Sequence, residues 1–353
     1  MDDDLFERYQ NREEQTEAMA EEVLDELQRL DEEEENEDTL RGCWSNVCAD
    51  VDRCKVLCGY IPTEFEALYE VSEEHIPENI GRGMRGKVSK KDKLLVVLCY
   101  VKHYETIAKM ADTFSMSKSN LQRILSVTIN AIMPILYDHF VVGIKEFLDE
   151  ESEDEPDVFP NAKYVMDATV QPIWTPTGTF DEKKRYYSGK HKAYVLKSQC
   201  LHDRKGYVVH CVPGVLGAVH DLTVARQSLN DVSRSFLALT CQLKTFFIRN
   251  EDEDYDENNT WDVLVDSGYQ GFQHVAPAIL PYKKKSGRRL TQRQVRFNRS
   301  LASERVICER FYGRLKGRCR IMTSKYRNSR EEYSTAFKLC VALTNFHLAN
   351  HPL

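Results

Sequence analysis

Three carboxylates in this 353-residue chain stand where they could hold divalent cations. Asp167 stands at the end of the apolar residues in Tyr164–Thr169, and Asp266 directly follows the apolar segment Asp262–Val265. Both segments are predicted to be buried β-strands, whereas Glu309 lies in a predicted helix. Strands that end in carboxylates can bring those charges together at one edge of a shared sheet, and the helix can add the third acid.

The expected chemistry follows from crowding the acids. Neighbouring carboxylates repel one another unless they are protonated or bridged by a cation. Oxygen ligands favour the hard ions Mg²⁺ or Mn²⁺, and three carboxylates fit a two-metal site for phosphodiester chemistry. Asp167, Asp266 and Glu309 are therefore the predicted catalytic and metal-binding residues. Asp221 is a rival or auxiliary acid that could bind metal, orient a ligand or cap its helix.

Glu309 lies in an otherwise basic stretch. Residues 283–330 hold seventeen Lys and Arg against two acids. On a helix, Arg305, Glu309 and Lys316 share one face, because they are spaced by four and seven residues. Glu309 could simply neutralise Arg305, or it could bind a metal ion beside a phosphate backbone. A single Asp at a strand end is most often a cap or turn residue, so the metal site rests on the combination of acids.

The basic stretch itself predicts contact with a polyanion. Its densest part includes Lys284, Arg288 and Arg289, which we expect to hold the DNA backbone without reading sequence. Arg305 and Lys316 are expected to position the DNA strand close to the metal ions. A nuclear-localisation signal is the rival interpretation of the dense run, and it predicts a nuclear protein.

The formal net charge of −8 conceals a strong asymmetry. Residues 1–40 carry eighteen acids and three basic residues, which leaves a formal charge of +7 on the rest of the chain. The composition of this segment predicts a disordered acidic arm. A further acidic run at 149–160 predicts a linker between a helical region over 41–148 and a second domain over 161–353.

The second domain has the pattern of a mixed α/β fold. Two strand patterns, Ala193–Leu201 and Tyr207–Val212, flank His202–Gly206 and predict a hairpin. Strands that precede helices are typical of a sheet with helices packed against it. Helical periodicity covers Leu290–Ser300, Ser303–Arg318 and Glu331–Asn350.

Helical periodicity also marks residues 89–137. Two short helices, a tight turn at 114–116 and a third helix capped by Ser117 resemble a helix-turn-helix. A three-helix packing unit without DNA contact is the alternative interpretation. If the third helix enters a major groove, the side chains that face DNA are Lys118, Asn120, Gln122 and Arg123.

Eleven cysteines without an export signal predict a reducing, intracellular environment. Four of them lie close together, but their spacing fits zinc ligands poorly, and ordinary thiols are the favoured interpretation. These four are Cys43, Cys48, Cys54 and Cys58. No apolar run reaches the roughly 18 residues that a membrane span needs, so we expect no membrane partner.

Several segments together resemble the DDE superfamily endonuclease domain of PIF/Harbinger-type transposases. The match covers about residues 160–350 in family order and includes the signature R-x₃-E-x₆-K. The resemblance implies an RNase H-like fold, a catalytic triad of Asp167, Asp266 and Glu309, and a DNA-binding helical region upstream. The matching segments are YVMDAT, YYSGKHKAYVLKSQCLHDRKG, PGVLGAVHD, LVDSGYQG, LTQRQVRFNRSLASERVICERFYGRLKGR and TNFHLAN.

The predicted substrate is double-stranded DNA, as transposon ends and as target. The resemblance also implies a second, separately encoded DNA-binding protein, and a homo-oligomer is a further candidate partner. The main alternative is a domesticated transposase that binds DNA or a protein partner without mobility, although the intact acids argue against lost chemistry. An unrelated aspartyl-nucleophile phosphohydrolase would need a second Asp where Thr169 stands.

Overall fold

The structure is a computed structural model. It describes residues 44–80, 88–142, 158–230, 261–284 and 286–352, with the backbone alone for 227–230. The predicted acidic arm, most of the predicted linker and Cys43 lie outside these residues. The chain forms two compact units, of which the first ends at residue 128 and excludes two short segments. These segments, 70–75 and 99–104, belong with residues 129–353 to the second unit.

The described residues before the sheet are helical, apart from turns. Trp44 stacks on Phe65 with ring centroids 3.6 Å apart, and both side chains are buried in the first unit. A 3₁₀ turn, Glu73–His75, follows the third helix. The helices are Trp44–Val47 (α1), Val51–Cys58 (α2), Pro62–Ser72 (α3), Lys90–His103 (α4), Ile107–Phe114 (α5) and Lys118–Tyr137 (α6).

Caps set the boundaries of α4 to α6. The Ser89 hydroxyl accepts a hydrogen bond of 3.1 Å from the backbone N–H of Asp92. Ser115, with a left-handed φ of 51°, ends α5. The Ser117 hydroxyl accepts a hydrogen bond of 3.2 Å from the backbone N–H of Asn120. These contacts confirm the predicted turn and the predicted cap at Ser117, and Ser89 caps α4 in the same way.

By length and composition, Lys118–Val142 is long and apolar enough to cross a membrane, a property that core helices of soluble proteins share. This corrects the expectation that no segment has that character. The helix α6 within it buries Leu121, Ile124 and Ile132 in protein.

The second unit contains a mixed sheet. Its order is β2-β3-β1-β5-β6, with β4 also paired to β3. β3 runs antiparallel to β1, β2 and β4, whereas β5 runs parallel to β1 and to β6. The strands are Ala162–Pro172 (β1), Tyr187–Ser188 (β2), Ala193–Asp203 (β3), Val208–Leu216 (β4), Asp262–Leu264 (β5) and Ala278–Ile279 (β6).

β3 and β4 form the predicted hairpin. The turn contains Gly206 at φ 97°, a conformation that glycine adopts without a Cβ penalty. The side chain of Asp203 closes the turn by accepting a hydrogen bond of 2.6 Å from the backbone N–H of Tyr207. The strand β3 therefore extends two residues beyond its predicted end at Leu201.

Four helices accompany the sheet in the described residues. The two predicted helical segments 290–300 and 303–318 form one continuous helix, because no Gly or Pro interrupts the sequence between them. Asn345, buried in the last helix, donates to the Val208 carbonyl at 2.7 Å and accepts from its N–H at 3.1 Å. These helices are Phe180–Tyr186 (α7), Asp221–Asn230 (α8), Gln292–Arg318 (α9) and Arg330–Asn350 (α10).

Candidate functional site

The β1–β5 ladder positions two of the predicted acids. Its last pair is Val165 with Leu264, and Asp167 and Asp266 each come two residues later. Side chains alternate between the two faces along a strand, so equal offsets direct both carboxylates to the same face of the sheet. The parallel pairing therefore brings together two acids that are 99 residues apart in the chain.

Asp167 does not end its strand, which corrects the prediction. β1 continues to Pro172 because it keeps pairing with β3, where Pro172 lies opposite Val195. The ladder that ends near Asp167 is the one with β5, a strand of only three residues. Asp167 consequently pairs with β3 on one side. On the other side it lies two residues beyond the end of the short β1–β5 ladder.

Asp221 lies beside Gly268, close to Asp266. Asp266 Oδ1 accepts a hydrogen bond of 2.7 Å from the Gly268 backbone N–H. A Cβ built on Gly268 would stand 2.9 Å from Asp266 Oδ1 and 3.1 Å from Asp221 Oδ2. The two carboxylates thus flank Gly268, and a residue without a side chain leaves the space between them open.

Electrostatics link these two acids to Asp167. Burial raises the pKa of Asp167, and the Asp266 and Asp221 carboxylates add to the rise, whereas the Arg305 guanidinium opposes it, giving about 6. Burial and the same three carboxylates raise the pKa of the buried Tyr269 phenol. Asp167, Asp221 and Asp266 therefore form one group of interacting charges, which we call the carboxylate cluster.

One face of α9 lies against Asp167 and β1. Arg305 Nη2 is 3.5 Å from Asp167 Oδ1, and the Tyr312 hydroxyl donates to the Asp167 carbonyl at 2.8 Å. Lys316 Nζ donates to the Val170 carbonyl at 3.3 Å. Glu309 is exposed and lies between these contacts along the helix, one turn after Arg305. The predicted alignment of Arg305, Glu309 and Lys316 along α9 is present.

Lys197 balances part of the charge of the cluster. Its Nζ lies 3.0 Å from Asp221 Oδ1 and donates to the Val219 carbonyl at 2.7 Å. Both side chains of the ion pair are mostly shielded from solvent, with 15% and 24% exposed for Lys197 and Asp221. The carboxylate cluster is therefore neutralised from two sides, by Lys197 at Asp221 and by Arg305 at Asp167.

The cluster suits a hard divalent cation by its donor chemistry. Within the described residues, no group of three His, Cys, Asp or Glu side chains lies close enough together to hold a metal ion as it stands. The available donors are carboxylate oxygens, which Mg²⁺ and Mn²⁺ prefer. The gap that Gly268 keeps free is bordered by two of them. A bound cation would compete with Arg305 and Lys197 for these oxygens.

A family model described as DDE superfamily endonuclease matches residues 166–345. The chain belongs to this family. The match contains the carboxylate cluster and Glu309. A curated relative, a probable transposase for insertion sequence element IS702 from Microchaete diplosiphon, is 27% identical over 271 residues, which is 76% of this chain and 84% of that protein. No solved structure is significantly similar to this chain.

A second family model, the helix-turn-helix of DDE superfamily endonuclease, matches residues 86–141. This confirms the helix-turn-helix interpretation. Lys118 and Gln122 are exposed on α6, and Arg123 is half-buried. Asn120 is only 9% exposed. Its backbone N–H joins the cap at Ser117, and its side chain faces inward, which corrects its assignment to the DNA-facing set.

The predicted backbone clamp precedes α9. Lys284, Arg288 and Arg289 are all exposed. Thr291 then begins α9 through a capping box with Gln294. The structure therefore places the dense basic run beside the start of the same helix that carries Arg305 and Glu309.

Sequence reasoning missed three residues of the site. Lys197 pairs with Asp221 across 24 positions, and Tyr312 reaches Asp167 across 145. Gly268 stands inside the segment DSGY, yet its role depends on Asp221, which comes from another element. The usable signal in the sequence was Tyr312, since it follows Arg305 by seven residues and so shares its helical face.

Proposed function

We propose that this protein is a transposase-like DNA endonuclease and strand-transfer enzyme that depends on divalent metal ions. The observation that carries the proposal is the convergence of Asp167 and Asp266 beyond one parallel ladder, beside a helix with Glu309 in a basic setting. Membership of the DDE endonuclease family supports nuclease chemistry. The similarity to a probable transposase supports transposon ends and target DNA as substrates.

The finer classification that we propose is an RNase H-like domain of the PIF/Harbinger type. Its support is the strand order β4-β3-β1-β5-β6, in which three antiparallel strands are followed by two strands parallel to β1. The segments that resemble PIF/Harbinger transposases lie on these strands and on α9 and α10. The carboxylate cluster lies at the central strand β1, where the antiparallel and parallel halves of this sheet meet.

In this proposal Asp167, Asp266 and Glu309 hold Mg²⁺ or Mn²⁺, and Asp221 is an auxiliary ligand. The bound ions would supply an activated water or 3′-hydroxyl and stabilise the leaving oxygen. Glu309 is exposed, so its side chain can turn toward an ion without displacing packed residues. Tyr312 fixes the backbone of Asp167 against α9.

Two cations on α9 are suited to position the DNA strand. Part of the Arg305 side chain, 19%, is exposed, so its guanidinium could donate to a phosphate oxygen. Burial lowers the pKa of Lys316, whose ammonium contacts the β-strand β1, as Arg305 does. Holding the scissile strand in a fixed orientation lowers the entropic part of the barrier.

Other contacts with DNA would come from regions outside the carboxylate cluster. The family match of residues 86–141 supports entry of α6 into a major groove, where Gln122 and Arg123 would read bases and Lys118 would contact phosphate. Lys284, Arg288 and Arg289 would hold the backbone, and the same run could direct the protein to the nucleus. A second DNA-binding protein and a homo-oligomer complete the proposed set of partners.

A nicking assay on plasmid DNA that carries the element's own ends tests the proposed activity. We expect nicks in Mg²⁺ or Mn²⁺ and none in EDTA. Binding of those ends without nicking in either metal would refute the proposed chemistry and favour a domesticated, DNA-binding protein.

Base reading by α6 is tested separately by binding. The double variant Gln122→Ala, Arg123→Ala should lose discrimination between end DNA and random DNA, since each good base contact is worth roughly 1–3 kcal/mol. The matched control is Lys118→Ala, which should weaken binding to both DNAs alike, as loss of a phosphate contact does. Unchanged discrimination by the double variant would remove α6 as the reading helix.

A further inference from the structure

A cavity of about 760 Å³ opens just beyond the end of β1, in the second unit. Its volume is within the roughly 300–1,000 Å³ of pockets that hold small ligands. Leu196 of β3 and Leu216 of β4 contribute apolar lining. Further lining comes from Trp174 and from three arginines, Arg185, Arg327 and Arg330. The cavity therefore combines an aromatic side chain with several positive charges, and the proposed chemistry uses none of these residues.

Trp174 is the unusual member of this lining. Its side chain is 61% exposed, although burying an aromatic ring of this size is favourable. The ammonium of Lys325 lies 4.3 Å from the centroid of its ring, at a distance that allows a cation–π contact. The exposed ring thus stands next to a cation and at the edge of the cavity.

The charged groups of the cavity favour an anion. Glu182 is the acid in the lining, and its carboxylate already accepts hydrogen bonds from the backbone N–H and the hydroxyl of Thr179. Arg330 is held in place by its Nε, which donates to the Gly214 carbonyl at 2.6 Å. Arg185 is exposed at the end of α7. Positive charge at the rim is therefore in excess.

We propose that this cavity binds one nucleotide of an unpaired DNA strand, with the base stacked on Trp174 and the phosphate near Arg185 and Arg330. Stacking needs an accessible base face, which single strands offer and which neighbouring bases cover in a duplex. Arginine favours phosphate because its planar donors match the phosphate oxygens. The proposal deepens the proposed DNA-processing function and rests on it for the nature of the ligand.

The position of the cavity sets its role. Ile173, in the lining, follows Asp167 by six residues along an extended chain, which corresponds to about 20 Å at 3.3 Å per residue. A nucleotide at Trp174 is therefore too far from the carboxylate cluster to take part in bond cleavage. The cavity holds a flanking stretch of strand, so its loss should change DNA binding and leave the turnover of saturated enzyme unchanged.

Fluorescence anisotropy in EDTA tests the proposal on the full-length protein, with a labelled 12-nucleotide oligothymidine and a labelled blunt 12-base-pair duplex as probes. Trp174→Ala should weaken oligothymidine binding about tenfold, a typical loss for one stacked base. Trp174→Phe should retain most of the parent's affinity for oligothymidine. Phe180→Ala is the matched control, because Phe180 is 80% exposed but does not line the cavity.

Arg185→Ala should also weaken oligothymidine binding and lower the slope of log affinity against log salt by about 0.7, the value for one phosphate on a single strand. Parent-like binding of oligothymidine by Trp174→Ala would overturn the proposal. An equal loss on the blunt duplex would overturn it as well, since the effect would then not depend on an unpaired base. Thermal unfolding of each variant excludes misfolding as the cause of a loss.

The outcome is separable from that of the proposed nuclease activity. The anisotropy measurements contain no metal ion and no cleavage step. They therefore support or overturn the cavity proposal whatever the result of the nicking assay. If the parent nicks DNA and Trp174→Ala binds oligothymidine normally, the cavity proposal alone fails. If oligothymidine binding depends on Trp174 but no metal supports nicking, the nuclease proposal alone fails.

Discussion

Asp167, which is half-buried, and Asp203, which is buried, are two acids on neighbouring strands of one sheet. In the β1–β3 ladder, Asp167 lies opposite Cys200 and Asp203 opposite Tyr164, three positions apart. Burial raises the pKa of both carboxyls, to about 6 for Asp167 and about 7 for Asp203. By their raised pKa values alone, the two groups would be equally good candidates for a functional acid.

Their surroundings differ. The hydrogen bonds to Asp203 come from its own hairpin turn. The backbone N–H groups of Tyr207, Gly206 and Lys205 lower its pKa and so oppose the effect of burial. Such contacts close the hairpin and leave little capacity for a ligand. Asp203 is therefore a structural acid.

Asp167 is surrounded by groups from distant parts of the chain. Two carboxylates, Asp221 and Asp266, raise its pKa, and Arg305 lowers it. Like charges that are gathered around an exposed gap are typical of ion-binding sites. The comparison teaches that a raised pKa does not by itself identify a functional carboxyl, and that the charged neighbours decide.

The largest predicted effect separates the two acids by activity. Asp167→Asn, Asp266→Asn and Glu309→Gln should each reduce metal-dependent nicking at least roughly 1,000-fold, as removal of a catalytic group commonly does. Asp203→Asn should nick at the parent rate, because its amide oxygen can still accept the hydrogen bond of the turn. Nicking rates on one supercoiled substrate give the comparison, and circular dichroism checks that each variant is folded. Full activity of Glu309→Gln would remove it from the triad.

The sequence was sufficient to predict the parts of this contrast that depend on local pattern. Apolar periodicity located β1 and β5, and the turn before Gly206 located the hairpin. The pairing of Asp221 with Lys197 and the burial of Asn120 were not predictable, because they depend on packing between elements far apart in the chain. Periodicity identifies a helix or strand, but not the neighbour that a given side chain meets.

A smaller effect is expected at the gap beside the cluster. Gly268→Ala would place a Cβ within 3.1 Å of both Asp266 and Asp221 oxygens, so these carboxylates must shift. We expect nicking to fall roughly 10–100-fold, as for other changes that misorient metal ligands. Gly313→Ala on α9 is the matched control, since its Cβ would meet nothing within 4 Å. Equal nicking by both variants would show that the gap has no role.

Two ion-paired arginines extend the comparison. Arg305 pairs with Asp167, and Arg204, next to Asp203, pairs with Glu304 at 2.5 Å. Arg305→Ala should reduce nicking about tenfold or more and change DNA affinity less, because it positions the strand at the metal ions. Arg204→Ala should leave nicking at saturating DNA unchanged. Single-turnover nicking and anisotropy on the same duplex measure the two quantities, and matching losses in both would contradict a positioning role for Arg305.

The smallest effect concerns stability and pH. In the native protein Asp203 keeps its proton up to about pH 7, whereas the unfolded chain loses it near pH 4. Unfolding then releases a proton between these values, so this group makes stability fall as pH rises through that window. Asp203→Asn should therefore raise the melting temperature by a few degrees at pH 8. The difference should shrink toward zero near pH 4, and a gain that is independent of pH would contradict this origin.

Binding of Mn²⁺, followed by electron paramagnetic resonance or calorimetry with and without a bound DNA duplex, tests the carboxylate cluster most directly as the metal centre. We expect the parent and Asp203→Asn to bind Mn²⁺ equally well. Asp167→Asn and Asp266→Asn should each lose at least roughly tenfold in Mn²⁺ affinity, because each removes a direct ligand. Parent-like Mn²⁺ affinity in Asp266→Asn, with or without DNA, would contradict the assignment.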